Sequence, residues 1–488
     1  MGGSPLSGLE PRQFLRAGDD GLRAQVEFAA GAARELEGVR RRRDRQALQT
    51  AGAGLVAQAL GYAVRLAVIP LSLKLLGTER YGLWLAAGSL IAWGGVADLG
   101  VSPGLVNVVA GASGRADREA MRRHISTAFA ANTVLAAMLA LAVLAVSQWP
   151  GLHGLLGARN VVLAQETRLL VAVCGLVYAA TMLTRVIPTA CTALQEGYLG
   201  AWAYLAGSLG SLLLLVPLLW GGGSLLSYAL AMSVPLLAAQ AGLGAYLFGC
   251  RHRDLRPGLR WCDRASLRAL WGLGGPLTLH QIASLTLYSA ANLLIANRLG
   301  SAAVPQYSVP YTLFAILTST AWQIVSPYLP AYAEASARGD WDWIRRRAIA
   351  ALAVTTAILG GGGAMLLFAG PGLIRFWTGG RIQPATGLFA ALACFCLLRA
   401  IGNANGVLLT GLGLVKLLAG LYLAVAVLYG AGVWFLLPRL GLIAVPLVGA
   451  LAHLLDAGIS LPYALRHIRS LDPRRIAAAA ALPLYSQA

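Results

Sequence analysis

Apolar residues recur along this chain in blocks of about twenty, separated by short polar joints. A block of that length, coiled at ~1.5 Å per residue, crosses roughly 30 Å of hydrocarbon. Twelve blocks can be read: 51–73, 82–106, 125–147, 168–191, 199–220, 225–249, 271–296, 305–330, 348–369, 386–411, 415–437 and 441–464. They are continuously apolar, unlike the alternating ~ten-residue strands of an outer-membrane barrel. Hydrocarbon offers no solvent to an unpaired peptide group, so the blocks must pair their backbone internally, as helices. The pattern therefore predicts an all-α membrane protein of about 12 transmembrane helices.

Composition agrees. Of 488 residues, 57% are hydrophobic and 12% charged, where a soluble chain carries about 25% charged residues. The net charge of +19 would suggest a nucleic-acid partner in a soluble protein. Here no nucleic-acid motif accompanies it, and the charge sorts by connection. Twenty-eight of the 39 basic residues fall in the two tails and in alternate joints, eight in the other joints, and three inside blocks. That bias places both termini in the cytoplasm and calls for an even number of spans. Residues 1–46 hold no apolar signal segment and read as a polar cytoplasmic tail ending in Arg40-Arg41-Arg42-Arg43. Four of the six cysteines lie in blocks and two in one basic joint, which does not suit a disulfide framework. Cys250, His252 and Cys262 match no zinc spacing, so neither a metal nor a cofactor is expected.

The chain also repeats itself. Ser102-Pro103, leading to Arg122-Arg123, recurs as Ser326-Pro327, leading to Arg346-Arg347, 224 residues on. Leu76-Gly77 recurs as Leu299-Gly300 at an offset of 223, each followed by a tyrosine, Tyr81 and Tyr307. Two six-helix halves of like orientation follow, related by an axis along the membrane normal. The expected organisation is a tail over 1–46, an N-terminal lobe over 47–249, a basic linker over 250–270, a C-terminal lobe over 271–466 and a cytoplasmic tail over 467–488.

Five charges sit deep inside blocks: Arg65, Arg185, Arg399, Asp98 and Asp456. Each would cost about 2.5–3.5 kcal/mol facing lipid at the bilayer centre, so they must face a watery cavity or one another. Helical spacing puts them on polar stripes. Block one carries Gln58, Tyr62 and Arg65, and its repeat partner, block seven, carries His280, Tyr288 and Asn292. Block two offers Asp98, and block eight offers Tyr311 and Trp322. Block four offers Arg185, and block ten offers Arg399 and Asn403. Equivalent helices of the two halves thus face a shared polar cavity, with blocks three, five, six, nine and eleven blander. Three arginines against one or two aspartates make that cavity cationic, suited to phosphate oxygens. Simpler roles stay open: Arg65 and Arg185 could bond helix carbonyls, and Asp98 could pair with Arg65. His453 and Asp456 fit an internal satisfied pair better than a proton relay. Asp98, His280 and Asp456 remain the candidates for ion coupling.

Several short motifs resemble those of bacterial polysaccharide flippases of the Wzx type. They are Leu76-Gly77-Thr78-Glu79-Arg80-Tyr81-Gly82-Leu83-Trp84 with Ala97-Asp98-Leu99-Gly100, Ala193-Leu194-Gln195, Pro330-Ala331-Tyr332-Ala333-Glu334-Ala335 with Arg338-Gly339-Asp340-Trp341, and Phe376-Trp377-Thr378-Gly379-Gly380. The resemblance covers roughly 47–470. It implies the V-shaped fold of the multidrug/oligosaccharidyl-lipid/polysaccharide exporter superfamily, working by alternating access. It further implies a multi-pass protein of the bacterial inner membrane that moves an oligosaccharide on undecaprenyl diphosphate to the outer leaflet, with no chemistry of its own. Arg65, Arg185 and Arg399 would be its basic cavity residues, and a polysaccharide polymerase is a candidate partner. Where many relatives carry an acidic residue on block seven, this chain has Asn292. Alternatives are a lipid II flippase and a drug/cation antiporter of the same superfamily. A membrane polymerase or glycosyltransferase fits less well, since Glu79 and Glu166, the carboxylates of the short outer joints, lack paired spacing.

Overall fold

The computed structural model describes residues 54, 56–98, 100–159 and 161–470, and the sequence-predicted tails lie largely outside them. The first helical element, α1, runs over 56–92 and continues as a 3₁₀ segment, Trp93–Asp98. The 41 residues of Val56–Val96 would reach ~62 Å as one straight helix, twice the thickness of hydrocarbon. They do not run straight. Gly77 sits at φ +72°, a left-handed conformation outside the right-handed helix that glycine adopts without penalty. The chain reverses there, and Arg65 to Ile69 and Tyr81 to Leu85 come to line one cavity. The two arms of α1 are the first two predicted spans.

The remaining helices follow the predicted blocks, except for the second, fourth and tenth, which fall wholly or largely in the joints. They are α2 (Val101–Gly114), α3 (Arg118–Gln148), the short α4 (Leu152–Leu155), α5 (Val161–Ala193), α6 (Gly197–Gly221), α7 (Leu225–Tyr246) and α8 (Arg264–Leu299). After them come α9 (Ala303–Val325), α10 (Tyr328–Arg338), α11 (Trp341–Trp377), α12 (Thr386–Gly411), α13 (Val415–Leu440) and α14 (Ala444–Ser470). Length and hydropathy alone single out eight spans, two of which, Val56–Val96 and Leu417–His467, each contain a reversal. Gly77 divides the first and Gly441, at φ +61°, the second. With α8 and α9 the described residues hold 12 spans.

The sequence repeat is a repeat of turns. Left-handed residues fall at Gly77 and Gly300, at Ala116 and Gly339, and at Gly157 and Gly380. Each pair is 223 residues apart. Caps repeat with them. Asp117 accepts from Ala120 N at 2.9 Å to open α3, and Asp340 accepts from Trp343 N at 3.1 Å to open α11. Such a cap contributes about 1 kcal/mol to its helix.

Helices α2, α3, α5, α6 and α7 pack together, as do α9, α11, α12, α13 and α14. Contact between spans in lipid rests on close van der Waals fit at small residues. A Cβ on Gly207 of α6 would meet Leu236 Cα of α7 at 2.8 Å, and one on Gly432 of α13 would meet Val448 of α14 at 2.7 Å. Helix α8 serves both lobes, packing on α2 and α3 and also on α13. The linker belongs to the N-terminal lobe: Gly258 N donates to Ser126 Oγ and Asp263 N to Thr127 Oγ1, each at 3.2 Å. Arg122 donates to the Arg256 carbonyl at 3.0 Å and lies over the Trp261 ring.

One end of the two-lobed bundle is sealed. A continuous buried cluster there joins Leu76, Leu83, Leu152 and Leu156 to Ala296, Val304 and Ile382. Gly82 faces the Ser301 backbone so closely that a Cβ would lie 2.6 Å from its carbonyl carbon. Asn297 Nδ2 donates to the Gly154 carbonyl at 3.2 Å, Trp377 Nε1 to that of Leu66 at 3.1 Å, and Arg381 to that of Leu73. At the other end the first turns of α8 reach across, where a Cβ on Gly104 would lie 3.0 Å from the Leu270 carbonyl carbon.

Candidate functional site

Two cavities meet at Arg65. The first, of about 370 Å³, lies between the lobes just beneath the seal. The N-terminal lobe supplies Arg65, Tyr81, Trp84, Tyr228 and Met232, and the C-terminal lobe Asn292, Tyr307, Ser308, Tyr311 and Phe395. The second, of about 550 Å³, lies within the N-terminal lobe between the first arm of α1 and helices α6 and α7. Arg65, Val68 and Met232 line both. Arg65 is exposed, and among the described lining residues of the two cavities it is the one charged side chain.

Six aromatic rings line the interlobe cavity. Tyr307 and Tyr311 stack with centroids 5.7 Å apart, and Trp84 meets Tyr228 edge-on at 5.3 Å. Tyr228 OH and Ser72 Oγ share a hydrogen bond of 2.8 Å, which fixes the ring. Asn292 bridges the lobes: its amide donates to Ser89 Oγ at 2.9 Å, and its carbonyl accepts from Ser308 Oγ at 2.8 Å.

The other predicted site residues divide. Gln58 and Tyr62 line the second cavity, joined by a 2.6 Å hydrogen bond from the Gln58 amide to the phenol oxygen. Arg399 stands one layer behind the interlobe cavity and donates to Tyr311 OH, which lines it. Arg185 is not among the lining residues; it donates to Tyr178 OH at 2.6 Å, two turns back on its own helix, and lies over that ring. Trp322 and Asn403 flank a crevice of about 10 Å³ inside the C-terminal lobe, and Asn403 accepts from Tyr422 OH at 3.4 Å. The side chains of His280 and Tyr288 lie outside the described residues.

Two pairings that the sequence left open are not made among the described residues. Asp98 is buried, and its oxygens accept from Ser102 N at 3.3 Å and Ser102 Oγ at 3.0 Å. It holds the first turn of α2, and among the described residues no ion pair joins it to Arg65. His453 and Asp456 are both buried beside Gly402, but they do not bond each other, since neither imidazole nitrogen has a hydrogen-bond partner. At the joints, Arg80 pairs with Glu166 through bonds of 2.9 and 2.7 Å. Arg251 clasps Glu196 with bonds of 2.9 Å to each carboxylate oxygen, and His252 approaches the same carboxylate at 3.3 Å rather than either cysteine.

Sequence reasoning missed Tyr228 and Met232 of α7, and Ala201, Tyr204, Ser208 and Ser211 of α6, because both spans lack internal charge. One signal was available. Tyr228 is an aromatic residue with a hydroxyl in the first turn of an otherwise bland helix.

The sequence model of a family described as polysaccharide biosynthesis proteins matches residues 47–336. Among curated proteins nothing matches. Among solved structures the fold is similar to the inward-facing conformation of a multidrug resistance MATE family transporter of the MOP superfamily, with TM-score 0.72 and 15% identity over 88% of this chain and 99% of that one. It is also similar to MATE in complex with MaD3S, at TM-score 0.65 and 14% identity, and to an outward-facing MATE transporter, at 0.62 and 14%. Each of those two matches covers 88% of this chain and 97% of the other.

Proposed function

The chain belongs to the polysaccharide biosynthesis protein family, whose match spans well over half of it, and from that premise we propose that it is a flippase. Its substrate is an oligosaccharide linked to undecaprenyl diphosphate, carried from the inner to the outer leaflet of the bacterial inner membrane. The observation that carries this reading is Arg65, exposed where an aromatic interlobe cavity and a cavity within the N-terminal lobe meet. Moving a diphosphate through apolar surroundings costs several kcal/mol for each unpaired charge. A guanidinium offers a fixed fork to phosphate oxygens and keeps its charge at any physiological pH. A drug-cation antiporter would need a carboxylate in that position, and neither lining supplies one among the described residues.

The remaining steps follow from the architecture. Taking both termini as cytoplasmic, the sealed end faces outward. The diphosphate docks on Arg65 and the glycan lies against Tyr81, Trp84 and Tyr311, whose ring faces suit sugar rings. Arg399 presents Tyr311 to the cavity, and the Ser89–Asn292 bond parts as the lobes rock. The glycan bond itself is untouched. A polysaccharide polymerase consumes the product on the outer face.

The test is reconstitution of the full chain in liposomes with a fluorescently tagged undecaprenyl-diphosphate oligosaccharide, read by quenching with an impermeant reductant. Quenching beyond the outer-leaflet pool, above protein-free vesicles, is the expected result. No such gain, with ethidium transported instead, overturns the flippase reading in favour of the antiporter.

A further inference from the structure

The 550 Å³ cavity within the N-terminal lobe is too apolar for a glycan. Ser208 Oγ donates to the Tyr204 carbonyl at 2.9 Å and Ser211 Oγ to the Gly207 carbonyl at 3.1 Å, so their hydroxyl hydrogens are spent inside α6. Gln58 and Tyr62 are bonded to each other at 2.6 Å, and the rest of the wall is largely carbon, from Ala57, Val64, Ala201, Met232 and Leu236. Between α1 and α6 the gap has room for a methyl, since a Cβ on Gly61 would stand in ordinary contact with Tyr204 at 3.7 Å. Tyr204 at the mouth is 53% exposed, on a helix of the hydrocarbon-spanning bundle. The inner end of the cavity is Arg65. An apolar slot that opens sideways between membrane helices and ends at one cation has the polarity of a lipid whose anionic group sits at the base of its tail.

We infer that this slot between α1, α6 and α7 holds the head-proximal part of the substrate's isoprenoid tail, so that the lipid enters and leaves through the N-terminal lobe. The inference rests on the flippase reading and adds the side of the protein that faces the tail. Size agrees. A cavity of about 150 Å³ holds a six-carbon benzene, so 550 Å³ holds roughly three or four five-carbon isoprene units. The rest of the chain stays in the bilayer. Diphosphate at Arg65, tail in the slot and glycan between the lobes then occupy three contiguous spaces.

Two measurements test this on the full chain in liposomes. The first is photolabelling with an undecaprenyl diphosphate that carries a diazirine near the head end of its tail, mapped by peptide mass spectrometry. Label on 54–65 and 201–211 is expected, exceeding that from a phosphatidylethanolamine bearing the same diazirine. Label confined to the C-terminal lobe, or equal label from the phospholipid, overturns the assignment. The second is flipping by Ala201→Trp, which fills the slot without touching Arg65. Flipping of the C55 substrate is expected to fall roughly tenfold, the equivalent of about two buried methylenes, together with the label on 54–65 and 201–211, while affinity for a tail-free oligosaccharide diphosphate stays at the wild-type value. Loss of the tail-free affinity by the same factor, or undiminished C55 flipping, also overturns it. Labelling needs binding alone. A chain that takes label in the slot and flips no lipid refutes the transport reading and leaves the slot standing.

Discussion

Gly82→Ala is expected to open the sealed end without unfolding the protein. An added Cβ would stand 2.6 Å from the Ser301 carbonyl carbon and 3.1 Å from Pro305 Cδ, whereas ordinary contact begins at 3.4 Å. The first of these is an encounter with backbone of the opposite lobe, so no side chain can turn away to relieve it. The lobes must part locally by more than the 0.8 Å between 2.6 and 3.4 Å, because the Ser301 carbonyl oxygen lies closer to the added Cβ than its carbon does. Overpacking of this kind costs about 1–3 kcal/mol. Within its own helix the change is favourable, because Ala exceeds Gly in helix propensity by up to about 1 kcal/mol. The penalty therefore falls on the sealed state alone and shifts the sealed-to-open ratio by roughly 5- to 150-fold. Spin labels at His153 and Ala302, both exposed at the sealed end, report it by pulsed dipolar spectroscopy once the six native cysteines are replaced. Wild type should give a short distance, and Gly82→Ala a dominant longer one. An unchanged distribution in folded, monodisperse Gly82→Ala would refute the assignment of that contact as the outer gate.

Asn292→Ala removes the interlobe bond to Ser89 at 2.9 Å. A loss of about 0.5–1.5 kcal/mol should give a weaker shift of the same spin pair in the same direction. Glu196→Gln should lower the thermal midpoint, because it takes the charge from a buried clasp of three bonds between 2.8 and 2.9 Å to Arg251. Burial alone would raise the Glu196 carboxyl, but Arg251 and His252 outweigh it and hold it below its ordinary value of 4.5. A depressed acid lends stability above its unfolded pKa and loses it as pH falls through its folded one. Wild type should therefore lose stability, measured in detergent, as pH drops below about 4.5, with that part of the loss absent from Glu196→Gln. Tyr311→Phe should slow flipping several-fold and leave the fold intact, since it deprives Arg399 of an acceptor at the cavity wall while keeping the ring that stacks on Tyr307.

Spans were readable because lipid imposes a length and an apolar character that survive any packing arrangement. The block predicted at 386–411 is α12, Thr386–Gly411. The repeat was readable because reversals need residues that tolerate positive φ, and these recur 223 apart, as at Gly77 and Gly300. Partners were harder. Asp98 looked like a mate for Arg65, yet Ser102, four residues on, was the nearer donor, and a capping bond costs less than bringing two charges together. Arg185 and Tyr178 are seven apart on one helix face, so their bond was legible as spacing but not as a preference over the cavity. Helices α6 and α7 read as bland because a surface that holds a lipid tail and a surface that faces bulk lipid share one composition. Only the gap between α1 and α6 separates the two cases, and a gap has no residue of its own.

Substrate binding turns on Arg65. The direct measurement is the flipping rate of tagged undecaprenyl-diphosphate oligosaccharide by Arg65→Gln and Arg65→Lys, each purified with wild-type stability and yield. A charged hydrogen bond to phosphate is worth about 1.5–3 kcal/mol, so Arg65→Gln should flip at least roughly tenfold more slowly, with Arg65→Lys between it and wild type. Wild-type flipping by folded Arg65→Gln would contradict the claim that a single exposed guanidinium between two cavities receives the diphosphate.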